Sequence, residues 1–294
     1  MSPRKIDSGS SAGASRHIER EIHTFSRTSP SNRLPGTDNL HIFDRPVVHY
    51  ADGDDPIFAE YRTVIAPTHL TPREALAKAL DKSTDDIPSP LSVISWVLPV
   101  TAGTRRSNRR QTGTPSRLWA LTRWYGEKFN DALRQHVVEI LTGMGYMAAA
   151  PMLQPYFKIE RNQKGPYSNW SERHIAYAAG LGTFSLSDGF ITERGIAHRC
   201  GSVVTDLVLL PSPRTAENHY SNCLYYVDVS CKSCIRRCPA GAITENGHDK
   251  VKCNAYIRNE LAYLLKEYDV GTTGCGLCQT KVPCEFRNPT ASKK

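Results

Sequence analysis

The sequence contains no run of about 18 or more apolar residues, so no transmembrane helix is expected. Its N-terminus, MSPRKIDSGSSAGASRHIER, lacks the apolar core of a secretory signal, and no twin-arginine pair precedes such a core. Both absences point to a cytoplasmic protein without membrane contact. A mean hydropathy of −0.43 and a hydrophobic content of 39% fit a soluble chain. Cysteine is missing from everything before Cys200. There is no internal repeat beyond two groups of cysteines near the end.

The 294 residues leave room for one large domain or two small ones. Net charge is +8 with a pI near 9.0, which favours anionic partners. Part of the excess lies in TAGTRRSNRRQTG (101–113), read here as an arginine-rich loop. Such a loop would contact tRNA or another polyanion, dock an acidic redox partner, or simply be solvated.

Residues 1–38, rich in Ser, Gly, Pro and Arg, are expected to form a mobile arm. Thr71-Pro72-Arg73-Glu74 is a capping box with proline at the first helical position, which predicts a helix to about Asp81. Ser92 to Leu98 reads as a buried strand ended by Pro99, and Ser202 to Leu210 as a second ended by Pro211. Phe129, Leu133, Val137, Ile140 and Met144 mark one face of an amphipathic helix, and residues 170–181 form another helix. Alternating strands and helices make the body, residues 39–215, an α/β or α+β domain. Residues 216–294 are loop-rich, with one clear helix striped by Ile257, Leu261, Leu264, Leu265 and Tyr268. Bound clusters would have to hold this part together.

Cys231-x2-Cys234-x3-Cys238-Pro239 matches the last three cysteines of the ferredoxin run that holds a [4Fe–4S] cubane. Cys253, Cys275, Cys278 and Cys284 follow. The cysteine before proline serves the other cluster in two-cluster ferredoxins. That crossing gives one complete set, Cys238, Cys253, Cys275 and Cys278. The second set, Cys231, Cys234 and Cys284, needs a fourth ligand. Asp228 stands where the run needs its first cysteine, and Cys223 lies five residues upstream. Either supplies the ligand, or the cluster has three irons. Zinc would be satisfied by four ligands and does not call for C-x3-C-P continuing into AGAI. Cys200, set apart, reads as a small buried hydrophobe.

AYAAGLGTFSLSDGFITERG (176–195) followed by SVVTDLVL resembles epoxyqueuosine reductases and corrinoid-dependent reductive dehalogenases. SVISWVLP, YGEKFNDALRQHVVEIL, KCNAYI and GCGLCQ are similar to segments of the same group, so the likeness spans roughly residues 90–285. It implies a nitroreductase-like domain holding cobalamin, followed by a ferredoxin-like domain with two [4Fe–4S] clusters. It also implies a low-potential donor such as ferredoxin or flavodoxin, and a small-molecule or tRNA substrate. Gly180, Leu181, Gly182, Thr183 and Phe184 would contact the corrinoid, since glycines let a flat ring approach the backbone. Tyr167 is a candidate proton donor, because dehalogenases of this group use a tyrosine, or else it packs the domain. His174 could shuttle protons near neutral pH or serve structure alone. Lys164 and Arg173 could hold an anion; Thr205, Asp206, His198 and Arg199 are further candidates.

Three departures stand out. The family's proton-donating aspartate lies in a Val-Asp-Ser/Thr-Ala-Pro segment, and GPYSNWSERH (165–174) has none. Asp228 replaces the first ferredoxin cysteine. Five residues rather than three separate Cys278 from Cys284, and Pro283 precedes the last cysteine instead of following it.

Overall fold

A computed structural model describes residues 11–291. In chain order the elements are α1 (Ser11–Thr28), β1 (Val47–Asp52), α2 (Ile57–Val64), α3 (Pro72–Ala79), β2 (Ser92–Pro99), α4 (Ala102–Arg109) and α5 (Arg117–Gly143). Next come β3 (Ala148–Ala149), β4 (Ile159–Asn162), β5 (Gly165–Ser168), α6 (Glu172–Ala178), β6 (Gly182–Phe184), β7 (Phe190–Thr192) and β8 (His198–Thr205). The cysteine-rich part holds α7 (Leu224–Asp228), α8 (Ser233–Arg237), β9 (Ile243–Thr244), β10 (Gly247–His248), α9 (Lys250–Asn259) and α10 (Tyr263–Tyr268).

The architecture is mixed α/β. Its central sheet has the order β1-β2-β8-β3 and is antiparallel throughout. All eight residues of β2 are buried, so the strand is covered on both faces. The period-two geometry of a strand divides them. Ile94, Trp96 and Leu98 enter a core with α1 and α5, against Ile18, Ile22, Phe129, Leu133 and Val137. Val93 and Val97 enter a second core with α2, α3 and α6, against Phe58, Leu76 and Ile175. Trp96 Nε1 donates to Asn130 Oδ1 at 2.9 Å, and Asn130 donates to the Cys200 carbonyl at 2.8 Å, pinning α5 to the sheet.

The capping box is present: Thr71 accepts from the Glu74 amide, and Glu74 accepts from the Thr71 amide. The amphipathic helix starts earlier than its stripe, at Arg117, because Ser116 Oγ accepts from the Trp119 amide at 3.2 Å.

Four expectations are corrected. Residues 11–38 are no mobile arm, although residues 1–10 lie outside the described part. Ala14, Ile18 and Ile22 recur every fourth residue on α1 and are almost wholly buried. Full burial of each isoleucine stabilises by about 1.5–3 kcal/mol, enough to hold an otherwise polar helix. The arginine-rich segment is a helix, α4, and not a loop. The second strand stops at Thr205, where the Asp206 carboxylate turns to accept from the Met147 amide at 2.8 Å. The cysteine-rich part has four short helices instead of one. The break between α9 and α10 separates Ile257, beside the cysteines, from Leu265 and Tyr268, which pack on the main core.

Candidate electron-transfer centre and cleft

The cysteines are presented by short elements. Cys223 opens α7, which stops at Val229 in a left-handed turn (φ 57°). Cys234 lies on α8, Cys238 ends it, and Cys253 lies on α9. Gly276, at φ 60°, turns the chain between Cys275 and Cys278. A Cβ there would meet the Trp119 ring at 2.1 Å, so both the turn and its packing require glycine.

Two cavities carry the thiols. Cys238, Cys253, Cys275 and Cys278 line one of about 240 Å³. Cys223, Cys231, Cys234 and Cys284 line a smaller one of about 20 Å³. Cys278 and Ser187 border both. Asp228 borders neither; its Oδ1 accepts from the Ser230 amide at 3.0 Å. Of the ligands weighed for the second set, the geometry therefore groups Cys223 with the others.

All nine cysteines are free. Among the described residues, no three His, Cys, Asp or Glu side chains converge as on a single metal ion. The thiols instead ring voids, which fits a polynuclear group better than zinc, whose thiolates meet about 2.3 Å from one point. Burial, with Cys223 and Cys231 close by, pushes the Cys234 thiol up to about 12. Burial raises Cys284 as well, next to Cys223, Cys234 and Cys231. Burial pushes Cys275 up to about 11 and raises Cys278. Such crowded buried thiols ionise readily only when a bound cation offsets the charge. The donor set thus suits iron–sulfur ligation.

The larger cysteine cavity continues into a cleft of about 490 Å³, sharing Arg173, Gly189, His198, Arg199 and Gln279 with it. A further chamber of about 490 Å³ shares Tyr167, Arg173, His174 and Lys250 with the cleft and reaches Tyr177 and Phe184. Both sequence-predicted catalytic residues, Tyr167 on β5 and His174 on α6, therefore line the cleft. Tyr167 pairs across the β4–β5 hairpin with Glu160. Desolvation and this carboxylate raise its phenol.

His174 is not the near-neutral shuttle expected from an ordinary histidine. Burial, then the Arg173 charge, pushes it down to about 3. Its Nδ1 lies 2.8 Å from Ser171 Oγ. His198 is pushed down to about 4 by burial and bonds the Phe190 carbonyl at 2.8 Å. Both are neutral hydrogen-bonding groups at physiological pH.

Of the predicted ring-binding segment, Phe184 lines the outer chamber. The glycine faces are taken, which corrects the reason for expecting a flat ring there. A Cβ on Gly180 would meet the Pro213 carbonyl oxygen at 2.6 Å, and one on Gly182 the Ile191 carbonyl oxygen at 2.2 Å. Leu181 and Thr183 are buried in protein. Thr205 and Asp206 hold β3 through the Met147 backbone and do not line the cleft. Lys164 lines only the outer chamber. Cys200 packs beside the second core and also borders the cleft.

Sequence reasoning missed the charges behind the cleft. Arg134 is fully buried and meets Asp131 at 2.6 Å and Glu127 and Glu172 at 3.1 Å. Arg199 also meets Glu127 at 3.1 Å, and Ser202 Oγ donates to Glu172 at 2.6 Å. Burial alone would raise Glu127, but Arg199, Arg134 and Arg123 outweigh it and hold the carboxyl at about 2. The seven-residue spacing of Glu127 and Arg134 was readable; their partners on α6 and β8 were not. In the wall of the outer chamber, Asp188 lies 3.3 Å from His248 and 3.7 Å from Lys250.

A curated epoxyqueuosine reductase of Bacillus anthracis is 31% identical over 119 residues, 38% of this chain and 29% of that protein. The chain resembles the epoxyqueuosine reductases. The solved structure of a selenomethionine-labelled epoxyqueuosine reductase aligns with a TM-score of 0.51 at 16% identity, over 92% of this chain and 66% of that one. Another, holding an epoxyqueuosine-modified tRNA-Tyr stem loop, aligns with a TM-score of 0.50 at 16% identity and the same coverage. These two show a shared fold. The chain thus spans just under two thirds of the solved reductases, and the curated alignment spans under a third of its relative. No family model matches the chain. Among the described residues, no helix is long and apolar enough to cross a membrane.

Proposed function

We propose that this protein is an iron–sulfur oxidoreductase of the epoxyqueuosine reductase type, acting on a small molecule or a modified base in the cleft. The carrying observation is that the cavity lined by Cys238, Cys253, Cys275 and Cys278 shares five wall residues with that cleft. Residues 39–215 form the substrate domain of nitroreductase type, and residues 216–294 the ferredoxin-like electron-transfer domain.

Cys238, Cys253, Cys275 and Cys278 would hold the cluster nearer the cleft. Cys223, Cys231, Cys234 and Cys284 would hold the outer one. Two clusters would supply one-electron transfer at low potential. A corrinoid is the cofactor this reading places in the cleft. Tyr167, Arg173 and Lys250 suit a group fringed with amide carbonyls and a phosphate, whereas the glycine segment offers it no open face. When bound, it would supply a reactive cobalt centre for the reductive step.

The chain's own side chains have definite tasks. The Tyr167 hydroxyl is the proton donor at the wall where the family's aspartate is missing. Arg173 and Lys250 orient an anionic group. Neutral His174 and His198 accept or donate hydrogen bonds without adding charge. The Arg134–Glu127–Arg199 network holds Arg199 toward both cavities.

Anaerobic purification with cobalamin supplied, followed by iron, sulfide and cobalt analysis of one sample, tests this reading. About eight irons and one cobalt per chain are expected from two cubanes and one corrinoid. Iron without cobalt after reconstitution removes the corrinoid and leaves an electron carrier or a reductase with another cofactor.

A second reading, action on tRNA, has its own observation. Arg16, Arg20, Arg27 and Arg45 line a groove of about 820 Å³ beside α1. Binding to a tRNA stem loop that weakens steeply with salt supports it, and flat affinity between low and moderate salt removes it.

A further inference from the structure

A basic, aromatic patch flanks Cys284, a wall residue of the second cysteine cavity. Two residues beyond Cys284, Phe286 is 45% exposed. The guanidinium carbons of Arg105, Arg109 and Arg287 lie 5.6, 5.7 and 5.8 Å from its ring centroid. Such cation–π contacts hold an exposed ring in place. Beneath it, the buried Glu285 carboxylate meets Arg109 Nε at 2.6 Å and Arg105 Nε at 3.3 Å. Asn108 donates to the Cys275 carbonyl at 3.3 Å, so α4 is bolted to the cysteine segment on both sides. Arg106, Arg110 and Arg287 are exposed and form no ion pair among the described residues. One buried carboxylate thus balances part of a patch of five arginines.

We propose that this patch is the docking surface for a small acidic protein that carries one electron at a time, and that electrons enter here. The proposal rests on the two-cluster reading above and adds where the donor binds and what charge it bears. Three observations select this occupant. The patch is strongly cationic in a chain of net charge +8, which complements an acidic partner. It flanks Cys284, a wall residue of the cavity farther from the cleft. Cys278 and Ser187 join that cavity to the inner one, which opens on the cleft. A donor seated on Phe286 therefore stands two residues from a wall of the outer cavity, which reaches the cleft only through the inner one. In each transfer the carrier loses one electron and the outer cluster gains one, with no bond formed or broken.

Stopped-flow reduction of the holoprotein under anaerobic conditions tests it, using a reduced acidic flavodoxin as donor and dithionite as control. The variant Arg106→Glu/Arg110→Glu/Arg287→Glu changes no residue that lines either cysteine cavity or the cleft. Its bimolecular rate with flavodoxin should fall at least tenfold at low salt, within the range of electrostatic steering. The wild-type rate should fall as salt rises, and the variant's should not. Bleaching by dithionite should keep its full amplitude in both. The single variant Arg287→Glu should give an intermediate loss. An unchanged flavodoxin rate overturns the proposal. Loss of affinity for a tRNA stem loop with an unchanged flavodoxin rate overturns it in favour of a nucleic-acid surface. A wild-type protein with no dithionite-bleachable chromophore instead refutes the cluster reading, and the docking proposal with it.

Discussion

Cys223 and Cys284 line the same small cavity, although most of the cysteine-rich sequence lies between them. Burial and the nearness of Cys223 both raise the Cys284 thiol. Asp228, at the position the ferredoxin spacing would fill with a ligand, bonds instead to the Ser230 amide. The variant Cys223→Ser should therefore lose iron from the outer cluster, from about eight per chain toward seven or four, or show a three-iron signal by electron paramagnetic resonance. Asp228→Asn should keep the full complement. The opposite pattern would return the fourth position to Asp228.

The inner ring of thiols depends on a turn for its shape. Gly276 combines a left-handed backbone with contact to Trp119. In Gly276→Ala the new Cβ has no space, and relaxing the turn displaces Cys275 from Cys278. Iron should drop to about half, four per chain, with the outer cluster kept. Full iron in this variant would show that the inner site tolerates a moved Cys275.

What was legible in the sequence was local. The Thr71–Glu74 cap, the buried run of β2 and the Cys-x2-Cys pairs each follow from neighbours a few residues apart, and the structure has them. Helix α1 was missed because three apolar positions in polar surroundings signal little without the groove they fill. Helix α4 was missed because its anchors, Glu285 and the Cys275 carbonyl, come from the far end of the chain. The glycines of the AGLG block read as room for a ring, and only the positions of Pro213 and Ile191 reveal that backbone lies against them. The choice of Cys223 over Asp228 likewise needed the path of α7, which spacing does not encode.

His69 predicts the acid side of the stability profile. It is 1% exposed, accepts from the Ser171 amide at 3.1 Å, and is pushed down to about 4 by burial. The folded pKa lies below the unfolded value of about 6.5, so the unfolded chain takes up the proton first. This contribution is complete above pH 6.5 and drains as pH falls toward 4. The slope is about 1.4 kcal/mol per pH unit for the one group. Urea denaturation at several pH values should show that slope diminish by this amount in His69→Asn. An unchanged slope would mean that His69 is already reached by solvent protons in the folded state.

The buried network at Arg134 predicts the largest loss from a single change. Removing the guanidinium leaves Glu127, Glu172 and Asp131 facing one another, with the Glu172 side chain only 12% exposed. Breaking a buried pair on one side costs about 3–5 kcal/mol, because the remaining charge is uncompensated. Arg134→Met should therefore lower the melting temperature by roughly 6–15 °C, at about 2–3 °C per kcal/mol for a chain of this size. Adding Glu172→Gln removes the stranded charge while keeping the Ser202 contact, so the double variant should recover part of the loss. If the double variant is less stable than the single one by the full cost of Glu172→Gln alone, the two residues are not coupled. Arg134 would then stabilise α5 through packing of its stem and not through charge. Iron content measured on the same samples separates collapse of the body from loss of the clusters, since no cysteine of either ring contacts Arg134.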